Sequence, residues 1–151
     1  GYDSKDRIKG LERNPANLLP VVMEAAAGMR DRLMVFGNDY ETPDGTGVRD
    51  YVHVGDLASA HVKAMTYLVD HDASLTVNLG SESGISVDRM VETARRITKK
   101  DIPVEYTARR AGDVAALYAS SQKAKEQLGW EARLSDVDSL VETTWKVYRE
   151  R

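Results

Sequence analysis

The chain has 151 residues and a mass of 16.7 kDa, the size of one ordinary domain. With 42% hydrophobic and 30% charged residues it has the composition of a soluble globular chain, and no run approaches the ~20 apolar residues of a membrane span. A net charge of −3 argues against a nucleic-acid-binding surface, and the absence of cysteine excludes disulfide scaffolds, thiolate metal sites and cysteine nucleophiles.

The polar opening from Gly1 to Asp6 is no signal peptide, so a soluble, cytoplasmic chain is expected. The first residue is glycine and not methionine, which suggests a processed product or a piece of something longer.

The first dozen residues lack apolar periodicity and read as a surface loop. Asn14-Pro15-Ala16-Asn17 opens a helix starting near Asn17, with Pro20 in its first turn. Leu18, Val22, Ala25 or Ala26, and Met29 are expected on its inner face. Leu33 to Gly37 reads as a strand, Asn38 to Gly47 as a polar loop, and Val48 to Val52 as an extended segment. Asp56 is placed as the cap of the next helix, with Leu57, Ala60, His61, Ala64, Met65 and Leu68 inward. Leu75 to Leu79, with its period-two alternation, gives the clearest strand of the chain.

Ser86 is expected to cap a helix that buries Val87, Met90 or Val91, Ala94 and Ile97. Ile102 to Tyr106 reads as an edge strand, because Pro103 could not donate within a central one. A loop at Arg109-Arg110-Ala111-Gly112-Asp113 leads to a short helix from Ser121 to Leu128, stopped by Gly129. The last helix, from about Asp136 to Tyr148, should bury Val137, Leu140, Val141, Trp145 and Tyr148. Alternating strands and helices give an α/β fold.

Few residue types announce chemistry. Leu79 to Gly84 lacks the third glycine and the lysine of a phosphate-binding loop, and reads as a turn closed by two glycines. Asp39, Glu41 and Asp44 do not follow calcium-loop spacing, and no metal site is expected. His53, His61 and His71 show no metal spacing, and His61 reads as a hydrogen-bonded core histidine. Arg110 and Asp113 straddle a glycine, where one charge can orient the other, and an arginine fork suits a diphosphate. On residue types alone, surface salt bridges remain the better account of Arg49 and Arg110.

The ordered motifs say more. Asn17-Leu18-Leu19-Pro20, Val35 to Tyr40, Thr42 to Val54 (TPDGTGVRDYVHV), Arg109 to Asp113 (RRAGD), Ser121 to Trp130 (SQKAKEQLGW) and Thr144-Trp145 resemble the second half of the UDP-glucose 4-epimerase family. The resemblance runs from near Gly1 to the C-terminus. It implies the substrate-binding C-terminal part of an extended short-chain dehydrogenase/reductase fold, with the closing elements of a Rossmann domain but without its N-terminal half. Residues 1–151 would form a single UDP-sugar-binding region, in which elements near 50–80 pack on the absent Rossmann domain. Alone, those elements should expose apolar surface and favour self-association.

Carried over position by position, the resemblance implies that Asn17 and Leu18 contact the diphosphate and adjoining nucleotide. Met34 and Phe36 would line the uracil slot, Arg49 and Arg110 would clamp the diphosphate, and Asp113 would hold a ribose hydroxyl. Leu117 falls beside the sugar, where a bulkier tyrosine is associated with excluding N-acetylated sugars. The family's chemistry also implies NAD, a Gly-rich fingerprint and a Tyr-x-x-x-Lys pair. The seven tyrosines here have no lysine four residues on, so no catalytic residue is expected in this chain, the NAD seat lies outside it, and the chain alone should be inactive.

The implied partners are a UDP-sugar and either a missing N-terminal half or a homo-oligomer partner, with no nucleic acid and no membrane. The alternatives are a non-catalytic nucleotide-sugar-binding module or half-enzyme, and a UDP-N-acetylhexosamine 4-epimerase. A decarboxylase or dehydratase of the same group fits the NDYETPDGTG stretch less well.

Overall fold

The computed structural model describes residues 1–5 and 7–150; Asp6, within the expected N-terminal loop, lies outside the described residues. The loop has no regular secondary structure, but it is anchored. Tyr2 and Leu11 pack against the main core, and the Tyr2 ring meets Tyr148 edge-on, centroids 6.5 Å apart.

Ten elements follow among the described residues. Helix α1 (Leu18–Ala26) starts after Asn17 and buries Leu19, Val22, Met23, Ala25 and Ala26. Met29, expected on this face, lies beyond the helix end and is 53% exposed. Strand β1 (Leu33–Phe36) alternates buried and exposed residues, and β2 (Val48–Arg49) is only two residues long.

Helix α2 (Val54–His71) is capped not by Asp56 but by His53, whose Nδ1 accepts the Gly55 N–H at 2.9 Å. Asp56 lies one turn in and buried, where its Oδ2 accepts from the Leu134 N–H at 2.9 Å and the Ser135 hydroxyl at 2.6 Å. The helix then departs from its expected inner face, since only Asp56 and Ala60 are buried. His61 is exposed and turns its Nδ1 back to the Leu57 carbonyl at 2.7 Å. Val62, Met65 and Val69 are 65%, 67% and 83% exposed.

Leu75 to Leu79 forms no hydrogen-bonded strand, which overturns the clearest strand expectation. Its alternation survives, with Leu75, Val77 and Leu79 half-buried between exposed Thr76 and Asn78. The physical reason is that a strand exists only through a partner, and none of the described residues offers a backbone edge to it.

Strand β3 (Ile85–Ser86) leads directly into α3 (Val87–Thr98), and the Ser86 Oγ accepts the Arg89 N–H at 3.2 Å as the expected cap. Strand β4 (Val104–Thr107) begins just after Pro103, which accounts for its late start. Strand β5 (Ala116–Leu117) comes next, then α4 (Gln122–Leu128), ended by Gly129 in the left-handed region, and α5 (Val137–Tyr148), capped by Asp136. Trp145 on α5 is half-buried where full burial was expected, and Val147 takes a core position instead.

Two small sheets result. Strands β1 and β4 pair in parallel, Leu33 opposite Val104 through Phe36 opposite Thr107. The second sheet has the order β3-β2-β5, antiparallel on one side and parallel on the other. Helices α1, α3 and α5 pack on one another, and the main core runs from Leu19 and Met23 through Met90 and Ala94 to Leu140 and Val141. A smaller cluster of Ala60, Ala124 and Trp130 joins α2 to α4, and Val77 and Leu79 pack on it. The buried Trp130 indole N–H donates to the Asp56 carbonyl at 2.9 Å, so this aromatic is not left with an unpaired donor. No helix of the described residues is long and apolar enough to cross a membrane.

Candidate functional site

The site follows from the period of two in β1. Leu33 and Val35 point into the core, so Met34 and Phe36 face outward, 39% and 40% exposed. They form one wall of a cleft of about 380 Å³, also lined by Leu18, Val21, Tyr40, Arg49, Tyr51, Arg110 and Asp113. Six of the residues singled out from the sequence therefore meet here: Leu18, Met34, Phe36, Arg49, Arg110 and Asp113.

The other two lie at its margins. Asn17, immediately before α1 and making no side-chain cap, lines an adjoining cleft of about 590 Å³ that shares Leu18, Arg49, Tyr51 and Arg110 with the first. Leu117 lines neither cleft; it is 62% exposed on β5, directly opposite Arg49 in the parallel register.

The two adjacent arginines have different work. Arg109 Nε donates to Asp39 Oδ1 at 2.7 Å, its Nη2 donates to the Asp39 carbonyl, and its guanidinium lies 4.2 Å from the Tyr40 ring centroid. It staples the 109–113 loop to the end of β1. That contact requires Gly37, because a Cβ there would lie 2.5 Å from the Tyr40 ring and 2.8 Å from Arg109 Cγ, on a backbone already at φ +86°. The hydrogen bond from this guanidinium lowers the pKa of Asp39.

Arg110 turns the other way, its guanidinium 4.7 Å from the Phe36 ring centroid and its Nε donating to Asp113 Oδ2 at 3.0 Å. The cleft thus has an aromatic wall, three guanidinium groups (Arg30, which is paired with Glu24, together with Arg49 and Arg110) and a carboxylate. Such a set can stack a planar ring and neutralise an anion with charge-assisted hydrogen bonds. Two carboxylates of the 38–47 loop, Asp39 and Asp44, are engaged by other protein groups: Asp44 accepts from the Thr46 N–H at 3.0 Å and hydroxyl at 2.7 Å, and from the Ser86 hydroxyl. Among the described residues no group of His, Asp and Glu has the geometry to hold a metal ion.

Among the cleft residues not singled out from the sequence are Tyr51 and Tyr40. Tyr51 lines both clefts, and burial pushes its pKa up to about 12, so it stays a neutral hydrogen-bonding group. The alternation Arg49, Asp50, Tyr51 carried the signal, since residues two apart in an extended segment share a face. The buried Tyr40 hydroxyl has no hydrogen-bond partner among the described residues; nothing in the sequence marks it apart from the motif that contains it.

A family described as GDP-mannose 4,6 dehydratase matches residues 6–144, and the chain belongs to that family. Its more particular likeness is to UDP-glucose 4-epimerases. It is 46% identical over 137 residues to the UDP-glucose 4-epimerase of Streptococcus mutans, an alignment covering 90% of this chain and 41% of that one. The structure superposes on the UDP-glucose 4-epimerase of Brucella ovis in complex with NAD with a TM-score of 0.94 at 43% identity, over 99% of this chain and 46% of the other. The enzyme from Stenotrophomonas maltophila, solved with NAD and formylated UDP-arabinopyranose, gives a TM-score of 0.88 at 42% identity, over 93% and 42%. The chain therefore has the α/β fold of part of an extended short-chain dehydrogenase/reductase, and it spans less than half the length of these relatives.

Proposed function

We propose that this chain is the UDP-sugar-binding part of a UDP-glucose 4-epimerase, an NAD-dependent enzyme interconverting UDP-glucose and UDP-galactose. Alone it binds the nucleotide sugar and does not turn it over. The observation that carries the reading is the meeting of Met34, Phe36, Arg49, Arg110 and Asp113 in one cleft, from segments far apart in the sequence. Phe36 and the Met34 backbone hold the uracil, Asp113 a ribose hydroxyl, and Arg49 and Arg110 the diphosphate, with Asn17 and Leu18 contacting the diphosphate and adjoining nucleotide. Leu117 stands beside the hexose. The exposed face of α2 and the unpaired Leu75–Leu79 segment pack on the Rossmann half, which brings the NAD seat and the proton-transferring tyrosine.

Thermal unfolding with and without UDP tests the binding. At about 100 times its dissociation constant a ligand specific for the folded state adds about 2.7 kcal/mol, a rise of about 5–10 °C for a chain this size. Arg110→Ala should remove most of the rise, since a charge-assisted phosphate contact contributes about 1.5–3 kcal/mol. A melting temperature unmoved by saturating UDP refutes the reading. A coupled assay with UDP-galactose and added NAD should show no turnover.

A second reading, turnover of UDP-N-acetylhexosamines by the complete enzyme, is favoured by Leu117 alone. Its side chain is 62% exposed and smaller than a tyrosine, which leaves room for an acetamido group.

A further inference from the structure

We propose that Asp50 is a positioning residue for this site: its carboxylate sets where β5 runs, and so where Leu117 stands beside Arg49. The inference rests on the reading of the cleft as a UDP-sugar site. β2 and β5 are two residues each, and their ladder consists of Val48 opposite Ala116 and Arg49 opposite Leu117, preceded by the Val48 N–H to Ala115 carbonyl bond at 2.8 Å. So short a pair specifies its register weakly. Leu117, 62% exposed, gains little from packing, so its backbone must be fixed by other means.

The Asp50 side chain supplies the fixing point. Its Oδ2 accepts the Ala119 N–H at 3.1 Å, two residues past Leu117, so Leu117 is held between a ladder bond on one side and a carboxylate on the other. A charged acceptor makes the stronger kind of backbone hydrogen bond. Behind that oxygen lies Gly80, where a Cβ would sit 2.5 Å from Asp50 Oδ2 and 2.9 Å from the Ala119 carbonyl oxygen. Only glycine lets these three segments meet. Gly80 is itself clamped by the buried Ser121, whose hydroxyl accepts the Gly80 N–H at 2.7 Å and donates to its carbonyl at 2.8 Å. The end of β5 is thus enclosed by Asp50 on one side and the Gly80–Ser121 pair on the other. Through Leu117, Asp50 governs the sugar end of the site and leaves the nucleotide end to Arg49, Arg110 and Phe36.

The test uses the 151-residue chain and two readouts: amide hydrogen exchange at Ala119, and dissociation constants for UDP, UDP-glucose and UDP-N-acetylglucosamine. Asp50→Ala should speed exchange at Ala119 by about tenfold or more. It should leave UDP affinity within about twofold while changing the UDP-glucose to UDP-N-acetylglucosamine affinity ratio by about threefold or more. Asp50→Asn keeps an acceptor oxygen and should restore both readouts, and Gly80→Ala should mimic Asp50→Ala by crowding the carboxylate from behind. Unchanged exchange at Ala119, an unchanged ratio, equal weakening of all three ligands, or an Asn variant that behaves like Ala overturns the proposal. A wild-type chain that binds no UDP refutes the reading of the cleft, and the exchange at Ala119 still decides what Asp50 holds.

Discussion

His53 is a buried titratable residue with both ring nitrogens engaged by the protein. It is 1% exposed; its Nδ1 accepts from the Gly55 N–H, and its Nε2 lies 3.1 Å from Thr143 Oγ1, whose hydroxyl donates to the Ser139 carbonyl at 2.7 Å. That pattern suits a neutral ring with its proton on Nε2. Burial pushes the imidazole below its usual 6.5, against the opposing pull of Asp56 and Asp136. The unfolded chain therefore binds protons that the folded chain refuses. The stability contributed by neutral His53 is complete above pH 6.5 and is lost as the pH falls from there through the lowered folded value. The urea midpoint should drop between pH 6.5 and 5, and a midpoint flat across that range contradicts the account. Sequence pattern placed the cap of α2 at Asp56 because carboxylates cap helices and histidine rarely does; only tertiary contacts to α5 reveal that the ring is fixed in a capping tautomer.

At the scale of elements, the start of α3 is held by two segments at once. Ser86 caps the Arg89 N–H, the Thr46 hydroxyl accepts the Asp88 N–H at 3.2 Å, and the Gly47 carbonyl accepts the Val87 N–H at 3.2 Å. The 42–47 loop is therefore docked on the helix by the donors that a helix start leaves unpaired. Ser86→Ala should cost about 1–2 kcal/mol, read as a lower urea midpoint with unchanged slope. A loss below about 0.3 kcal/mol would mean that the loop contacts carry the cap without it. All five helices were legible in placement, α2 with its cap three residues earlier than expected, because apolar spacing and stop signals agree, as at Ser86 and Gly129. The two-residue strands β3 and β5 were not, since a pair of residues has no period to detect. Leu75 to Leu79 had the period but not the partner, and α2 had a face whose inward direction the periodicity could not supply. The cleft residues were legible from the ordered motifs, while Tyr51 needed the alternation of its own segment.

Over the whole molecule, the apolar side of α2 is the largest departure from a self-contained surface. Val54, Val62, Met65, Leu68 and Val69 are each about half exposed or more, on a helix whose only buried side chains are Asp56 and Ala60. Contiguous apolar surface of this kind drives association in water. Light scattering should show the apparent mass rising with concentration, and Met65→Lys combined with Val69→Lys should suppress the rise without altering helical circular dichroism. A strictly monomeric wild-type chain at high concentration would contradict this. The cleft has a different property at this scale. Arg109 and Asp39 are 70 residues apart along the chain, and Asp50 and Ala119 are 69 apart. Each such closure costs roughly 4 kcal/mol of chain entropy before any contact offsets it. The 30–51 stretch brings Met34, Phe36, Tyr40, Arg49 and Tyr51 to the cleft, but Arg110 and Asp113 arrive only through closures of this length, so the complete pocket belongs to the slow, late steps of folding, when distant strands find each other. An emerging or partly melted chain can already hold its helices and still lack the closed cleft.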